Sequence, residues 1–457
     1  MISRRLFTAL SLGLILFSSC KKNDLQNNLN PTVDSTTTTV SAADKLKDSA
    51  LEYSKDIYLW YNQISPSFNA RSYADLDKLM TGIRQYSIEP GFSTPVDRWS
   101  FGIKQQEWDD VSSGISGDFG INVFFRQEGD LRVKSVERTS PAGLAGVRRG
   151  WKIVKLNGSS NMTTSNADFI VNAVWNSSSS SFTFEKPDGT MTDMNLVAAS
   201  YQEHPVFLDT VYSVNSKNVG YLSFNSFLGD TNEVYSEFSR VFNRFAASSV
   251  TDVIVDLRYN GGGYVSVQEK LANYLAPSSA NGQLMMKQQF NDKYTQYNST
   301  DIFHKLGSLN LSRIFFIVSN STASASELLI NNLKPYLNEY LVGPSKTYGK
   351  PVGFFPIPVG DWYIFPVSFR TTNKNGEGSY FGGLNLSNQV ADGLDKDWGD
   401  LNESSLKTAI SFISTGAFRT QSTADNATIH AQQEVSTGNS ILDAPAFKGA
   451  VDTRKWR

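Results

Sequence analysis

From about Val206 onward the chain alternates short, mostly apolar runs with amphipathic stretches, and this alternation restricts the fold more than any other feature. Val219–Phe224 and Val253–Leu257 read as strands buried on both faces, with a helix over Glu233–Phe245 between them. Ile314–Val318 is a third buried run, followed by a helix over about Ser326–Leu333, and a last helix, Glu403–Ile413, closes the series. Strand, helix, strand in this order needs crossover connections and predicts an α/β core over about residues 205–416.

The segments before this core have different periods. Leu46, Ala50, Tyr53, Ile57 and Trp60 draw one apolar stripe at helical spacing, and Leu76, Leu79, Ile83 and Tyr86 draw a second, so residues 42–112 read as a small helical domain. From Gly117 the period shortens to two. Ile121–Phe125 and Leu131–Val136 flank a Gly129-Asp130 turn, and Ser140-Pro141-Ala142 opens a short helix. A strand Ile153–Leu156, a helix over Asn166–Val174 and strands near Phe182–Phe184 and Met191–Val197 complete the stretch. Residues 115–200 resemble a PDZ domain, which clasps a peptide C-terminus by strand addition. By that resemblance Phe119-Gly120-Ile121 matches the carboxylate-binding loop, while Trp151 departs from the Asp that follows the Gly in the family. The fold class expected is α+β and multidomain. Residues 417–457 are polar and poor in large apolar groups, and a disordered tail is expected there.

At the N-terminus Arg4 and Arg5 precede the apolar run Leu6–Phe17, too short to span the ~30 Å hydrocarbon core of a bilayer. Ser18 and Ser19 follow, then Cys20, which is the only cysteine. The segment 1–20 resembles a bacterial lipoprotein signal, with Phe17 where Leu is usual. The resemblance implies a lipid on Cys20 and a cell-envelope location, the outer membrane or a periplasm-facing surface being favoured. Residues 21–41, with Pro31 and the run Thr36–Thr39, read as a polar tether.

Composition narrows the function. Against 42 Lys and Arg stand 44 Asp and Glu, a formal net charge of −2, so no basic excess exists to grip a phosphate backbone, and no nucleic-acid partner is expected. A single cysteine forbids an intrachain disulfide and a thiolate metal site, and His204, His304 and His430 lie far apart, so neither a metal nor an organic cofactor is expected.

Three clusters in the core carry chemistry. Asp256-Leu257-Arg258-Tyr259-Asn260-Gly261-Gly262-Gly263 is a Gly-rich turn directly after a buried strand, where positive φ and close backbone approach are available. Ser321-Thr322-Ala323-Ser324-Ala325-Ser326-Glu327 sits at a strand-to-helix junction, which exposes a side chain and points N–H groups at a reacting atom. Ser324 with Glu327 three residues on also reads as an N-capping box, and a capping hydroxyl can still be a nucleophile. Thr347-Tyr348-Gly349-Lys350 is the third cluster.

Asp-Leu-Arg-x-Asn-x-Gly-Gly, then Ser-Ala-Ser-Glu, then Thr-x-Gly-Lys, behind a PDZ-like module, resembles the C-terminal processing (tail-specific) serine peptidases of family S41, over about residues 115–415. The resemblance implies an α/β core of the ClpP/crotonase-like type and an endopeptidase acting on proteins or peptides with exposed C-termini. It makes Ser324 the nucleophile and Lys350, 26 positions later, the general base. The N–H of Ala325 and that of Gly262 or Gly263 would form the oxyanion hole.

A lysine amine, with an ordinary pKa of ~10.4, must be desolvated to act as a base near neutrality, and Tyr348, Phe354 and Phe355 could surround it. Many relatives place a Gln four residues after the lysine, where this chain has Phe354. Ser321 and Ser326 are rival nucleophiles, and a catalytically inactive binding lipoprotein is the rival function. No histidine lies in the motifs, against a Ser-His-Asp triad. Gly343 and Gly349-Lys350 fail the P-loop pattern in spacing and in Pro351, and Ser404–Lys407 lacks the companion motif of penicillin-recognising enzymes.

Overall fold

The computed structural model describes residues 40–443 and 446–453. The expected signal segment, the Cys20 lipid site and nearly all of the tether lie outside the described residues. Six strands form the central sheet, in spatial order Asn388–Gln389, Asn338–Gly343, Arg313–Ile317, Val250–Asp256, Lys217–Phe224 and Val206–Val214. All neighbours pair in parallel except the last two strands, which are antiparallel. Alternation along Val250–Asp256 explains why both faces are covered. Val253 and Val255 join the larger core, whereas Ile254 joins Phe315, Ile317 and Phe412 on the opposite face.

The helix Thr231–Ala247 buries Val234, Phe238, Val241, Phe242 and Phe245 on one stripe, and Asp230 caps its start by accepting from the Asn232 and Glu233 N–H groups. The helix Ser404–Thr415 covers the other face and ends at Gly416, whose φ of 83° suits a left-handed cap.

A second unit of structure is a five-stranded antiparallel sheet whose strands neighbour one another in chain order: Ile121–Gln127, Asp130–Val136, Lys152–Leu156, Ser179–Glu185 and Met191–Val197. Its own core includes Phe119, Ile121, Phe125, Ile153, Phe182 and Phe184, with the helix Ala167–Trp175 laid on it. Ile121–Gln127 is an edge strand of this sheet.

Two expectations need correction. Residues 42–112 do not form a separate helical domain. The strand Phe101–Lys104 pairs antiparallel with Trp362–Phe365, and Ile57, Leu79 and Ile83 belong to the same hydrophobic core as the central sheet. The helices Ala42–Ile57, Leu76–Ile83 and Gln105–Ser113 thus complete the core; their stripes are too narrow to close one of their own.

Residues 417–457 are not a structureless tail. They contain the helices Thr423–Glu434 and Ser436–Leu442 and the strand Gly449–Val451, which pairs in parallel with Gly262–Tyr264. A few apolar residues suffice because they enter cores formed elsewhere, Val435 and Leu442 in the small domain's and Ala450 and Val451 in the larger one, with Asn439 and Asp443 adding polar contacts. Among the described residues no helix is long and apolar enough to cross a membrane.

Candidate active site

Ser324 stands at the N-terminus of the helix Ala325–Leu333, at the end of the loop that leaves the central strand Arg313–Ile317. Its backbone has φ 56° and ψ −106°, a left-handed conformation costly for a non-glycine residue and maintained only by its surroundings. Glu327 provides much of that constraint. Its Oε2 accepts the Ser324 N–H at 2.8 Å and the Lys350 N–H at 2.8 Å, while Oε1 accepts the Gly349 N–H at 2.6 Å and the Thr347 hydroxyl at 2.5 Å. One buried carboxylate therefore joins the serine junction to the Thr-x-Gly-Lys loop. Burial raises the Glu327 pKa, although these four hydrogen bonds pull against the rise. The Ser324 hydroxyl faces the Glu327 N–H but reaches hydrogen-bond geometry with no group among the described residues.

Lys350 is 1% exposed. Burial holds its amine well below the ordinary lysine pKa; Arg84 adds to the depression, and Asp97 and Glu327 oppose it. Of the three aromatic residues expected around it, Phe354 touches the amine, with Nζ 3.5 Å from the ring centroid. Phe354, where the resemblance has Gln, therefore supplies an apolar floor instead of a polar orienting group. Tyr348 stacks instead on Arg98, and Phe355 is part of the buried core. The Lys350 amine donates to the carbonyl oxygen of Lys448 at 3.1 Å and makes no hydrogen bond to Ser324.

The Gly-rich turn approaches the helix start from the neighbouring strand Val250–Asp256. Asn260 holds both pieces: its carbonyl accepts the Ala323 N–H at 3.0 Å, and its Nδ2 donates to Phe224 O at 3.0 Å. Its Oδ1 accepts the Gly262 N–H at 2.9 Å, which engages one of the two expected oxyanion donors. Gly262 and Gly263 have φ of 106° and 141°, and a Cβ on Gly262 would stand 3.0 Å from the Ala325 nitrogen. Only glycine allows this approach. Of the rival serines, Ser326 donates to Asn260 O and Ser321 donates to Asp443.

Arg258 is 1% exposed and fixes the turn from below. Its guanidinium bonds Asp256, Asp392 and Glu403, and Arg149 of the small sheet domain also reaches Asp392, at 3.0 Å. Sequence reasoning missed this scaffold, because Asp392 and Glu403 lie more than a hundred residues from the turn they hold.

The expected carboxylate loop differs in its use of donors. Phe119 is buried in the small domain's core and Ile121 begins its edge strand. The Gly120 N–H donates to Asp118 Oδ1 at 2.6 Å, and Tyr201 donates to the same oxygen, so the N–H expected to receive a terminal carboxylate is bonded within the chain.

The α/β core thus brings together a strained serine at a helix start, a glycine turn beside it and a buried lysine whose backbone N–H shares one carboxylate with that of the serine, a grouping suited to nucleophilic chemistry. Residues 218–381, which contain all three motifs, match the model of Peptidase family S41. The chain is 26% identical over 328 residues to the carboxy-terminal processing protease CtpB of Bacillus subtilis, covering 70% of this chain and 63% of that protein. It is 26% identical over 260 residues to a protein of Staphylococcus aureus named a probable CtpA-like serine protease, covering 56% of this chain and 49% of that one. The chain thus spans less than two thirds of the length of these relatives. A crystal structure of a Bacteroides fragilis protein assigned to the S41 proteases has a similar fold, with a TM-score of 0.65, 22% identity and coverage of 81% of this chain and 97% of that one. The comparisons thus liken residues 218–381 to Peptidase family S41 and a longer stretch of the chain to proteins named as processing or serine proteases.

Proposed function

We propose that the chain is a serine endopeptidase in which Ser324 attacks the peptide carbonyl and Lys350 accepts its proton. The observation that carries this reading is Glu327: one carboxylate binds the backbone N–H of both residues, so the nucleophile and the base are fixed by a common buried group. A neutral amine is the required form of the base, and burial over Phe354 favours it. The Ala325 N–H at the helix start, with that of Gly263, would receive the oxyanion. Losing one such donor typically costs ~2.7–4 kcal/mol in the transition state.

The small five-stranded domain acts as a PDZ-like peptide-binding module through the edge strand Ile121–Gln127. Asp118 argues that carboxylate capture does not use the Gly120 N–H. A lipid on Cys20 would tether the enzyme in the cell envelope, with proteins or peptides as substrates. Replacing Cys20 by Ala should then move the protein from the membrane to the soluble fraction.

The deciding experiment is cleavage of an unfolded protein from about pH 6 to about pH 10, beside Ser324→Ala and Lys350→Ala. Loss of cleavage in both variants supports the dyad. Persisting cleavage by Lys350→Ala places the base elsewhere.

A further inference from the structure

Two binding surfaces that the proposed function assigns to substrate are already filled by the chain itself. On the small domain, the helix Ser436–Leu442 lies against both the edge strand Ile121–Gln127 and the helix Ala167–Trp175. Val435 and Leu442 enter the domain's core. The Asn439 side chain acts as a short stand-in for a strand. Its Oδ1 accepts the Phe125 N–H at 2.7 Å and its Nδ2 donates to the Phe125 carbonyl at 3.0 Å. That pair satisfies an edge residue as an added strand would. Asp443 then pairs with Lys134 of the small domain at 3.2 Å and with Lys448 at 2.8 Å, and accepts from Ser321.

The same segment continues through the catalytic cleft. Gly449–Val451 lies between the glycine strand Gly262–Tyr264 and Phe354: the Gly449 N–H donates to Gly261 O at 2.9 Å, the Phe354 N–H to Ala450 O at 3.0 Å and the Asp452 N–H to Phe354 O at 3.0 Å. The parallel register sets the Gly449 carbonyl against the Gly263 N–H, the expected oxyanion donor. A Cβ on Gly262 would collide with that carbonyl oxygen. One residue earlier in the chain, the Lys448 carbonyl accepts a hydrogen bond from Lys350 Nζ. The Phe447 ring sits between Trp108, Phe101 and Phe354, with centroids 5.4, 6.2 and 6.4 Å away. Beside it opens a cavity of about 710 Å³, whose wall is made partly by Asn439, Asp443, Phe447 and Lys448.

We infer that residues 446–452 are an intramolecular peptide ligand of the catalytic cleft, so that the cleft takes an extended peptide with an aromatic side chain in the Phe101–Trp108–Phe354 pocket followed by small residues on the glycine strand. The Gly261 carbonyl, the Gly263 N–H and both backbone groups of Phe354 are engaged by this segment, and the Lys350 amine is bonded to it rather than to Ser324. The resting chain is therefore self-occupied, and a substrate gains access only when residues 446–452 leave.

The inference rests on the proposed peptidase reading for the word substrate, but its occupancy part can be tested without turnover. In the full chain carrying Ser324→Ala, a fluorescent peptide with the sequence of residues 446–453 is titrated by anisotropy. A tethered competitor is displaced by weakening it, so the further changes Asn439→Ala and Phe447→Ala should tighten peptide binding about tenfold or more. The same peptide with its Phe replaced by Ala should bind about tenfold more weakly than the parent peptide. With Ser324 restored, those two changes should raise kcat/KM for an unfolded protein by a similar factor.

Equal peptide affinity with and without the tail substitutions, or no loss on replacing the peptide's Phe, overturns the inference. As a check that needs no tail variant, amide exchange at Phe125 and Gly263 in the Ser324→Ala chain should be slow, and exchange at the rate of open loops overturns it too. If binding shifts as stated while the chain with Ser324 cuts nothing, the occupancy stands and the peptidase reading falls.

Discussion

Two opposing influences act on the Lys350 amine: burial disfavours its charged form, while Asp97 and Glu327 favour it. Burial dominates, and its direction gives a sign for pH dependence. A depressed pKa means that the folded chain binds fewer protons than the unfolded one between that pKa and ~10.4, so stability rises with pH across that window. If Lys350 is the base, as proposed, activity should rise through the same depressed pKa as its amine becomes neutral, and a pH–rate profile checks it. A profile that falls over the whole window would exclude Lys350 as the base.

Glu327 gives a second test at this scale. Gln in its place offers one acceptor oxygen to four donors, leaving N–H groups of Ser324, Gly349 or Lys350 unpaired at about 1–3 kcal/mol each. Glu327→Gln should lower the melting temperature and reduce kcat about a hundredfold through misplacement, with KM little changed. Chromatographic recovery of a folded chain separates the two effects. The Ser-x-x-Glu spacing made the capping role of Glu327 legible in the sequence, but its hold on residues 347–350 was not, because that contact exists only after the two segments meet.

The elements around the site show why some structure was legible and some was not. Val219–Phe224, Val253–Leu257 and Ile314–Val318 read as buried strands because apolar runs covered on both faces carry their own signal, and they fall within a residue or a few of Lys217–Phe224, Val250–Asp256 and Arg313–Ile317. Phe101–Lys104 is too short for its alternation to stand out, and its partner Trp362–Phe365 is distant in sequence. The loop before Lys350 depends on Gly349 at φ 90°, where a Cβ would meet the Phe381 carbonyl and the Gly383 nitrogen. Gly349→Ala should therefore cost more than the ~1–2 kcal/mol of a left-handed residue alone. Its measured effect on kcat should exceed its effect on KM if the loop carries the base as proposed.

Beneath the glycine turn, Glu403 is drawn down to about 2: burial pushes it up, but Arg258 outweighs that. Its contribution to stability is complete above the ordinary carboxylate pKa and is lost as pH falls through about 2, so acid unfolding should begin in that interval. Removing only Arg258, as Arg258→Met, should cost about 3–5 kcal/mol by stranding its carboxylates, a loss that chemical denaturation can measure.

On the scale of the whole molecule, polar joints do what local patterns cannot reveal. In the segment expected to be a disordered tail, Ser422 and Asp425 form a capping box at the start of the helix Thr423–Glu434. Nothing local indicated that Asn439 and Asp443 dock on the small domain, because their partners lie more than a hundred residues away. The joint between the small domain and the core has the same character. Arg149 donates to Asp392 at 3.0 Å, to the Tyr259 hydroxyl at 2.9 Å and to the Lys134 carbonyl at 2.6 Å, with its guanidinium 4.4 Å from the Trp398 ring centroid. It is buried, so salt screens this joint far less than a surface pair. Asp392 keeps Arg258 when Arg149 is removed, so Arg149→Met should disturb the core less than Arg258→Met while loosening the small domain. The expected outcome is a modest fall in melting temperature, faster proteolytic nicking near residues 198–206, and a larger loss of cleavage for an unfolded protein than for a short peptide. Equal losses for both substrates would show that the joint serves the fold of the core and not the placement of the small domain.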